Sequence, residues 1–437
     1  MSELSDRPQP GLRRLLSAIT VDPTPLYISR DYRLLFIGQA VSAFGSMMTY
    51  AVLPWQMYQI TKSSFAVGMI GVTEFLPMFI FAFIGGALAD AIDRRRLIII
   101  TEVAMTLCVG GWLVNAMLPQ PKAWVLFVIA AVFSAMGSLQ RPAREALLPR
   151  LLPSEQMAAA AALGSLRYTV AAIVGPAIGG VLAVSLGAGL AYAIDFATFL
   201  ISLVCLLQMR TVPPPENADD VSWQSILDGL RYAWGRKELL GTYLIDINAM
   251  FFGMPMALFP AMAESFGNAS VGLFYAMPAV GAFFASLLSG WTKEVNKHGL
   301  AIILAASVWG LAIIAFGLAT NLWLAMFFLA LAGAADMISG LFRMVIWNQT
   351  IPDHLRGRLA GIELISYASG PMLGNAEAGI VASLFSVRSS VISGGVLCVL
   401  GSVVLAALLP SFLRYDGQEG LARKRTEEQN RTAMQES

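Results

Sequence analysis

Long apolar runs dominate this chain, and short polar stretches separate them. Twelve runs can be marked, near residues 34–58, 65–89, 97–117, 123–140, 158–186, 189–208, 239–261, 270–291, 299–318, 322–342, 358–384 and 390–410. A membrane-spanning helix needs about 20 mostly apolar residues, and each run supplies roughly that length. Spanning strands would be shorter and would alternate apolar with polar residues. The pattern therefore predicts an all-α integral membrane protein with twelve transmembrane helices.

The basic residues fall between these runs on alternate sides. With the N-terminus placed inside, Arg7, Arg13, Arg14, Arg94, Arg95, Arg96, Arg141, Arg144, Arg150, Arg343 and Arg414 all lie on the inner side. Of the 29 Lys and Arg residues, only Lys62, Lys122 and Arg388 face outward, and Arg167 lies within a run. The bias of Lys and Arg toward cytoplasmic loops then predicts an even number of spans and two cytoplasmic termini.

The longest connection, roughly 209–238, opens with Pro213, Pro214 and Pro215 and divides the chain nearly in half. Within it Trp223, Ile226, Leu227, Leu230 and Trp234 recur at helical spacing. That spacing suits an amphipathic helix on the inner membrane surface; a solvated linker is the alternative. Weak repetition supports the division. LPRLLPSEQMAAAAALGSL aligns with WNQTIPDHLRGRLAGIELI, placing Pro153 over Pro352 and, just before, Arg144 over Arg343; after a small gap VGPAIGG aligns with SGPMLGN, placing Gly175 and Pro176 over Gly370 and Pro371. Repeats of parallel topology are a transporter architecture. The expected organisation is an N-terminal cytoplasmic segment (1–33), a six-helix half (34–208), a linker (209–238), a second six-helix half (239–410) and a disordered cytoplasmic tail (411–437).

Composition narrows the function classes. The chain is 57% hydrophobic and 13% charged, with a formal net charge of +1. A soluble domain carries about 25% charged residues, and no basic field points to nucleic acid. Cys108, Cys205 and Cys398 each sit inside an apolar run, with no spacing that suggests a metal or a disulfide. The polar N-terminus lacks the apolar core of a cleavable signal. No GxxxxGK[ST] loop suggests ATP as energy source. Neither an enzyme activity nor a cofactor nor a metal is expected.

The connection after the second run reads GGALADAIDRRR. Gly86-x-Leu88-Ala89-Asp90 followed by Arg94 and Arg95 resembles the signature loop of the major facilitator superfamily, with Ala91 and Asp93 as departures from the usual pattern. SLQRPAREALLPRLLP after the fourth run and LRGRLAGI leading into the eleventh resemble a bacterial efflux branch of that superfamily. VLPWQMYQITKSSFAVGMIG, VNAMLPQPKAW and ALFPAMAESF…GLFYAMP are similar to the enterobactin (siderophore) exporter family. The similarity runs from about Tyr32 to Pro410. It implies a monomer in the bacterial inner membrane that exports a siderophore or another amphipathic compound in exchange for protons. Multidrug (macrolide-type) efflux, and nutrient or lysolipid transport on the same fold, are the alternatives. The signature loop would act as a conformational latch through Gly86, Asp90, Arg94 and Arg95. Gly175, Pro176, Gly179 and Gly180 resemble the later part of an antiporter signature, and a closely packed helix is the other reading of Gly175–Gly180 and of Gly370–Pro371.

Ionisable side chains inside spans are costly and mark pathways. Glu74 lies roughly 13 Å into the second run at about 1.5 Å per residue and is the first candidate for a proton carrier; a structural hydrogen bond is the alternative. Glu363, Glu377, Asp246 and Asp336 are further candidates, and Asp336 with Arg343 also suits a simple ion pair. Arg167 suits a counter-ion, an anionic-substrate contact or a structural pairing. Gln39, Ser42, Ser46, Thr49 and Gln56 form a polar stripe on the first run, with Tyr50 beside it. Glu363, Tyr367, Gly370, Gly374 and Glu377 form another on the eleventh. Both stripes are expected to line a central substrate cavity, with packing seams as the alternative. Glu102, near the inner surface, is expected to pair with the arginines of the signature loop.

Overall fold

The computed structural model describes residues 21–91, 93–210, 232, 234–351, 356–418, 420–422, 424, 426 and 429, with side chains at all of these except 83, 85–91 and 356–366. Among them are twelve long helices: α1 (Arg30–Thr61), α2 (Ser64–Ala91), α3 (Arg94–Met117), α4 (Ala123–Leu151), α5 (Met157–Leu186), α6 (Ala188–Leu207), α7 (Lys237–Phe252), α8 (Ser270–Leu287), α9 (His298–Leu318), α10 (Leu322–Thr350), α11 (Arg356–Leu384) and α12 (Val387–Leu408). No strand occurs among the described residues. Eleven helical stretches are long and apolar enough to cross a membrane. The remaining helix, α11, has the length but is interrupted by Gly370, Pro371, Gly374, Asn375 and Glu377. Most of the connections are short, so successive helices run in opposite directions. One end of the bundle, here the basic end, carries Arg94–Arg96, Arg150, Arg236, Lys297 and Arg414. The far end carries Lys62, Lys122, Gly187 and Ser386.

Local chemistry sets several helix starts. The side chains of Ser29, Asp93, Asn321 and Ser386 each accept a first-turn N–H, at Tyr32, Arg95 and Arg96, Leu324, and Ser389 respectively. Two runs differ from expectation. α4 continues as helix through Arg141, Arg144 and Arg150, where a loop is expected, and α10 likewise runs on to Thr350. The seventh run breaks after Phe252, because Pro255 has no N–H to extend the helix. It resumes as a short helix, Phe259–Glu264. Side chains from three other helices satisfy the freed backbone: Trp309 Nε1 donates to the Gly253 carbonyl (2.9 Å), Tyr275 Oη to the Met256 carbonyl (2.8 Å), and Asn375 Oδ1 accepts from Ala257 N–H (2.9 Å). A break at membrane depth needs such partners.

The helix pairing of α1–α6 recurs in α7–α12. α2 packs on α4 as α8 packs on α10; α3 on α4 as α9 on α10; α1 on α5 as α7 on α11; and α3 on α6 as α9 on α12. The aligned glycines explain part of this equivalence. A Cβ at Gly175 or Gly179 would strike Met47 or Met48 of α1, and one at Gly370 or Gly374 would strike Met250 or Phe251 of α7. These glycines let the helix backbones approach closely.

The two groups of six meet chiefly along α2–α11 and α5–α8. Both crossings sit toward the far end. Gly68 and Gly71 of α2 lie against the Asn375 and Met372 carbonyls of α11, and Gly180 of α5 lies against the Gly272 backbone of α8. The first residues of the tail, expected to be disordered, dock instead. Phe412 is fully buried, because Gly241 has no side chain to exclude its ring and Gly299 none to exclude its backbone carbonyl.

A side chain at Gly180 would wedge the α5–α8 crossing apart. Overpacking of this kind costs about 1–3 kcal/mol, roughly a tenfold or larger shift in a two-state equilibrium. Gly180→Leu should therefore speed thiol labelling of a Met256→Cys reporter by a bulky impermeant reagent. An unchanged labelling rate would show that this crossing does not hold the far end shut.

Candidate functional site

The polar stripe on α1 splits between two environments. Ser42, Thr49 and Gln56 are buried on the face that meets α6. Thr49 donates to the Asp195 carboxylate, and Gln56 Oε1 accepts from Tyr192 Oη at 2.8 Å. Gly38 and Gly45 on the same face seat Ser202, Thr198 and Asp195 of α6. These positions form a packing seam. Gln39, Ser46 and Tyr50 lie off that face. Gln39 Oε1 accepts a hydrogen bond from Arg167 Nη1 of α5, and Ser46 is half-buried one turn before Tyr50.

Tyr50 lies between the two groups of helices. It is 44% exposed although it stands well inside α1. Its hydroxyl bonds Met256 Sδ at 2.8 Å, and its ring meets Tyr275 edge-on at 5.5 Å. Tyr168 of α5 and Tyr367 of α11 are likewise exposed. Arg141 of α4 donates to Tyr367 Oη, lies 5.7 Å from its ring centroid and pairs with Glu145 at 3.0 Å. Arg141–Tyr367 and Tyr50–Met256 join the two helix groups, and Tyr50, Tyr168 and Tyr367 are exposed although they stand within long helices. These positions outline a cleft along the interface.

At the far end the cleft is closed. Besides the glycine crossings, Lys62 pairs with Glu264 at 3.0 Å, and Tyr58 Oη donates to the same carboxylate at 3.2 Å. Toward the basic end, Leu76, Phe79 and Ile80 of α2 and Leu166 and Tyr168 of α5 are exposed.

Two charge clusters occupy related places. In the first, Gln140 Nε2 donates to the buried Glu102 carboxylate at 2.7 Å, Arg144 donates to Gln140 Oε1, and the Arg144 guanidinium stands 4.0 Å from Glu102. Helix α4 thus supplies the partners of Glu102, where the signature-loop arginines are expected. Those arginines bind helix ends: Arg94 donates to the Ala146 carbonyl (3.0 Å) and Arg95 to the Leu206 and Leu207 carbonyls (3.2 and 2.7 Å). In the second cluster Arg343 of α10 pairs with Asp246 of α7 and stands 3.6 Å from Asp336. Asp246 is buried, whereas the Asp336 side chain is 42% exposed. Sequence alignment matches Arg144 with Arg343, and each anchors a carboxylate from a neighbouring helix.

The remaining candidates are placed as follows. Glu74 is half-buried on α2, and its carbonyl accepts from Ser134 Oγ at 2.8 Å. Glu377 is half-buried near the far end of α11. Arg167 lies 5.9 Å from the Phe36 ring in a groove of about 240 Å³ between α1 and α5, and its Nε has no hydrogen-bond partner among the described residues. The side chains of Gly86, Asp90 and Glu363, and most of the linker carrying Trp223 and Leu230, lie outside the described residues. Among the described residues no group of three His, Cys, Asp or Glu side chains is placed to hold a metal. Sequence reading missed Asn375 and Met256. Neither carries a charge or a motif; Asn375 matters because the broken helix lies opposite it, and Met256 because it lies in that break, against Tyr50.

Removing one member of a buried ion pair costs about 3–5 kcal/mol. Arg343→Gln should lower the melting temperature of the purified protein by several degrees, and adding Asp246→Asn should restore most of the loss. If the double variant melts no higher than Arg343→Gln alone, the pair does not stabilise the fold as a unit.

The profile of the transmembrane secretion effector family matches residues 23–431. The enterobactin exporter EntS of Shigella boydii serotype 18 is 27% identical over 381 residues, covering 86% of this chain and 92% of that protein. EntS of Escherichia coli O1:K1 / APEC is 26% identical over the same length and coverage. Among solved structures, a POT family transporter in complex with 5-aminolevulinic acid superimposes with a TM-score of 0.70 at 12% identity, over 88% of this chain and 97% of that one. A bacterial homologue of the iron transporter ferroportin in an inward-facing state gives 0.67 at 13% identity, over 88% and 98%. At these identities the structural likeness is one of fold alone.

Proposed function

Because the chain belongs to the transmembrane secretion effector family of the major facilitator superfamily, and is a multi-pass membrane transporter and not an enzyme, we propose that it exports a siderophore-like or other amphipathic organic compound in exchange for protons. The basic end faces the cytoplasm in this reading, with both termini inside and the protein in a bacterial inner membrane. The arginine distribution supports that orientation. The curated relatives are exporters of enterobactin by name, and this supports the substrate class.

One observation carries the reading. Tyr50, Tyr168, Tyr367 and Arg141 come from four helices of both groups, all four are exposed, and Arg141 donates to Tyr367 across the two groups; this supports a cleft there that receives the substrate. Aromatic faces and a guanidinium suit a flat, partly anionic organic molecule. Closure at the far end, with the basic end less covered, suits loading from the cytoplasm. Transport then alternates access, with residues 34–208 and 239–410 rocking as two bodies and 209–238 tethering them. The far-end contacts of Gly68, Gly71, Gly180 and the Lys62–Glu264 pair part as the basic end closes.

The proton is carried by carboxylates that the cleft can reach. Glu74 is half-buried within α2. Asp336 is half-exposed and shares Arg343 with the buried Asp246. Protonation of Asp336 releases Arg343 wholly to Asp246, and deprotonation draws it back. A change of protonation thus repositions a charge on α10.

Inverted membrane vesicles test both parts. An inward-acidic gradient should drive enterobactin accumulation by the native chain. Glu74→Gln or Asp336→Asn should abolish the gradient-driven component while leaving substrate exchange at equilibrium. Accumulation indifferent to the gradient in the native chain overturns proton antiport. Full gradient-driven transport in both variants overturns the assignment of these carboxylates.

A further inference from the structure

At the basic end, away from the cleft, a second cavity of about 480 Å³ opens among the start of α7, the end of α10 and the tail after α12. We propose that it binds a phosphate-bearing anion, the headgroup phosphate of an anionic membrane lipid or a free phosphate compound. Four cations line it (Arg236, Lys237, Arg414 and Lys424) against two carboxylates (Glu238 and Asp416), a net of two positive charges. Arg236 pairs with Glu238 at 3.5 Å, and Asp416 Oδ1 accepts from Gln418 N–H at 2.8 Å, so both carboxylates are engaged. Among the described residues no ion pair engages Lys237 or Arg414. Charge-assisted hydrogen bonds from such groups favour phosphate oxygens.

The backbone adds to this field. Gly235 to Glu238 form the opening of α7, a 16-residue helix whose N-cap Arg236 makes no side-chain cap. The first amides of a helix carry partial positive charge and favour an anion. Thr350 and Ser411 add hydroxyl groups to the wall.

The walls are held in place by contacts independent of any ligand. Phe412 is fully buried just beside Ser411. Tyr415 Oη lies 3.2 Å from Thr350 Oγ1, and Gly417 N–H donates to the Asn296 carbonyl at 3.3 Å. Lys297 and Asp416 form an isolated bridge. Three stretches of chain far apart in sequence therefore hold their cations around one space. Its position at helix ends places it at the level of lipid phosphates, and an occupant would fasten the tail to α7 and α10.

The test uses the full chain in phosphatidylcholine nanodiscs, with graded fractions of phosphatidylglycerol or with added inorganic phosphate, read as melting temperature. Phosphatidylglycerol should raise the melting temperature of the native chain. The Lys237→Gln/Arg414→Gln pair should require at least about tenfold more of it, while melting normally in phosphatidylcholine alone. Lys293→Gln, outside the cavity, should respond as the native chain does. Lys424→Gln, in the tail, where Nζ donates to the Asn348 carbonyl of α10 at 3.4 Å, gives a second reading separate from the pair. A rise with inorganic phosphate that the paired substitution removes would support the same site and identify free phosphate as its ligand. Equal responses of the native chain and both cavity variants, or no response to either anion, would overturn the proposal.

Discussion

The hydrocarbon interior offers no water to a backbone amide or a polar side chain, and this constraint shapes the whole molecule. It leaves helices as the way to cross and leaves every polar group inside a span with three options: a neighbouring helix, a break lined by other side chains, or an aqueous cleft. Thr49 and Gln56 take the first, on Asp195 and Tyr192. The Gly253–Met256 break takes the second, served by Trp309, Tyr275 and Asn375. Tyr50, Tyr168 and Tyr367 are the exposed residues for which the proposed cleft supplies the third.

The same constraint explains why glycine concentrates where helices cross. Lipid tails are as apolar as leucine, so association depends on close packing. Gly175 and Gly179 bring α5 onto α1, and Gly370 and Gly374 bring α11 onto α7. Those contacts lie within each group of six and are rigid, because backbone meets backbone or the base of a side chain. Gly68, Gly71, Gly180 and Gly272 make similar contacts between the groups at one end. Close glycine crossings therefore serve both within each group of six and between the groups.

Charge is distributed by the same logic. Arg144 and Arg343 each hold a buried carboxylate against a neighbouring helix. Arg94 and Arg95 hold the ends of α4 and α6 through carbonyls. Arg141 alone among these reaches across to the other group, at Tyr367. Charges within a group therefore reinforce it, and Arg141 with Tyr367, like Lys62 with Glu264 at the far end, joins the two groups.

Several features follow from the sequence by itself. Apolar runs of bilayer length predict twelve helices, because length and hydrophobicity decide insertion without reference to neighbours. Ser29, Asp93, Asn321 and Ser386 mark helix starts through bonds to residues two or three places away. The matches of Gly175 with Gly370 and of Arg144 with Arg343 predict equivalent packing, and equivalent partners do surround the glycines. The neighbours themselves were decided only by tertiary structure. Helical spacing put Gln39, Ser42, Ser46, Thr49 and Gln56 in one stripe, yet α6 takes Ser42, Thr49 and Gln56, α5 takes Gln39, and Tyr50 meets the cleft. Glu102 found Gln140 and Arg144, not the nearer arginines of its own helix start. Periodicity defines which residues share a face of a helix. Which helix, or water, meets that face depends on contacts between residues hundreds of positions apart.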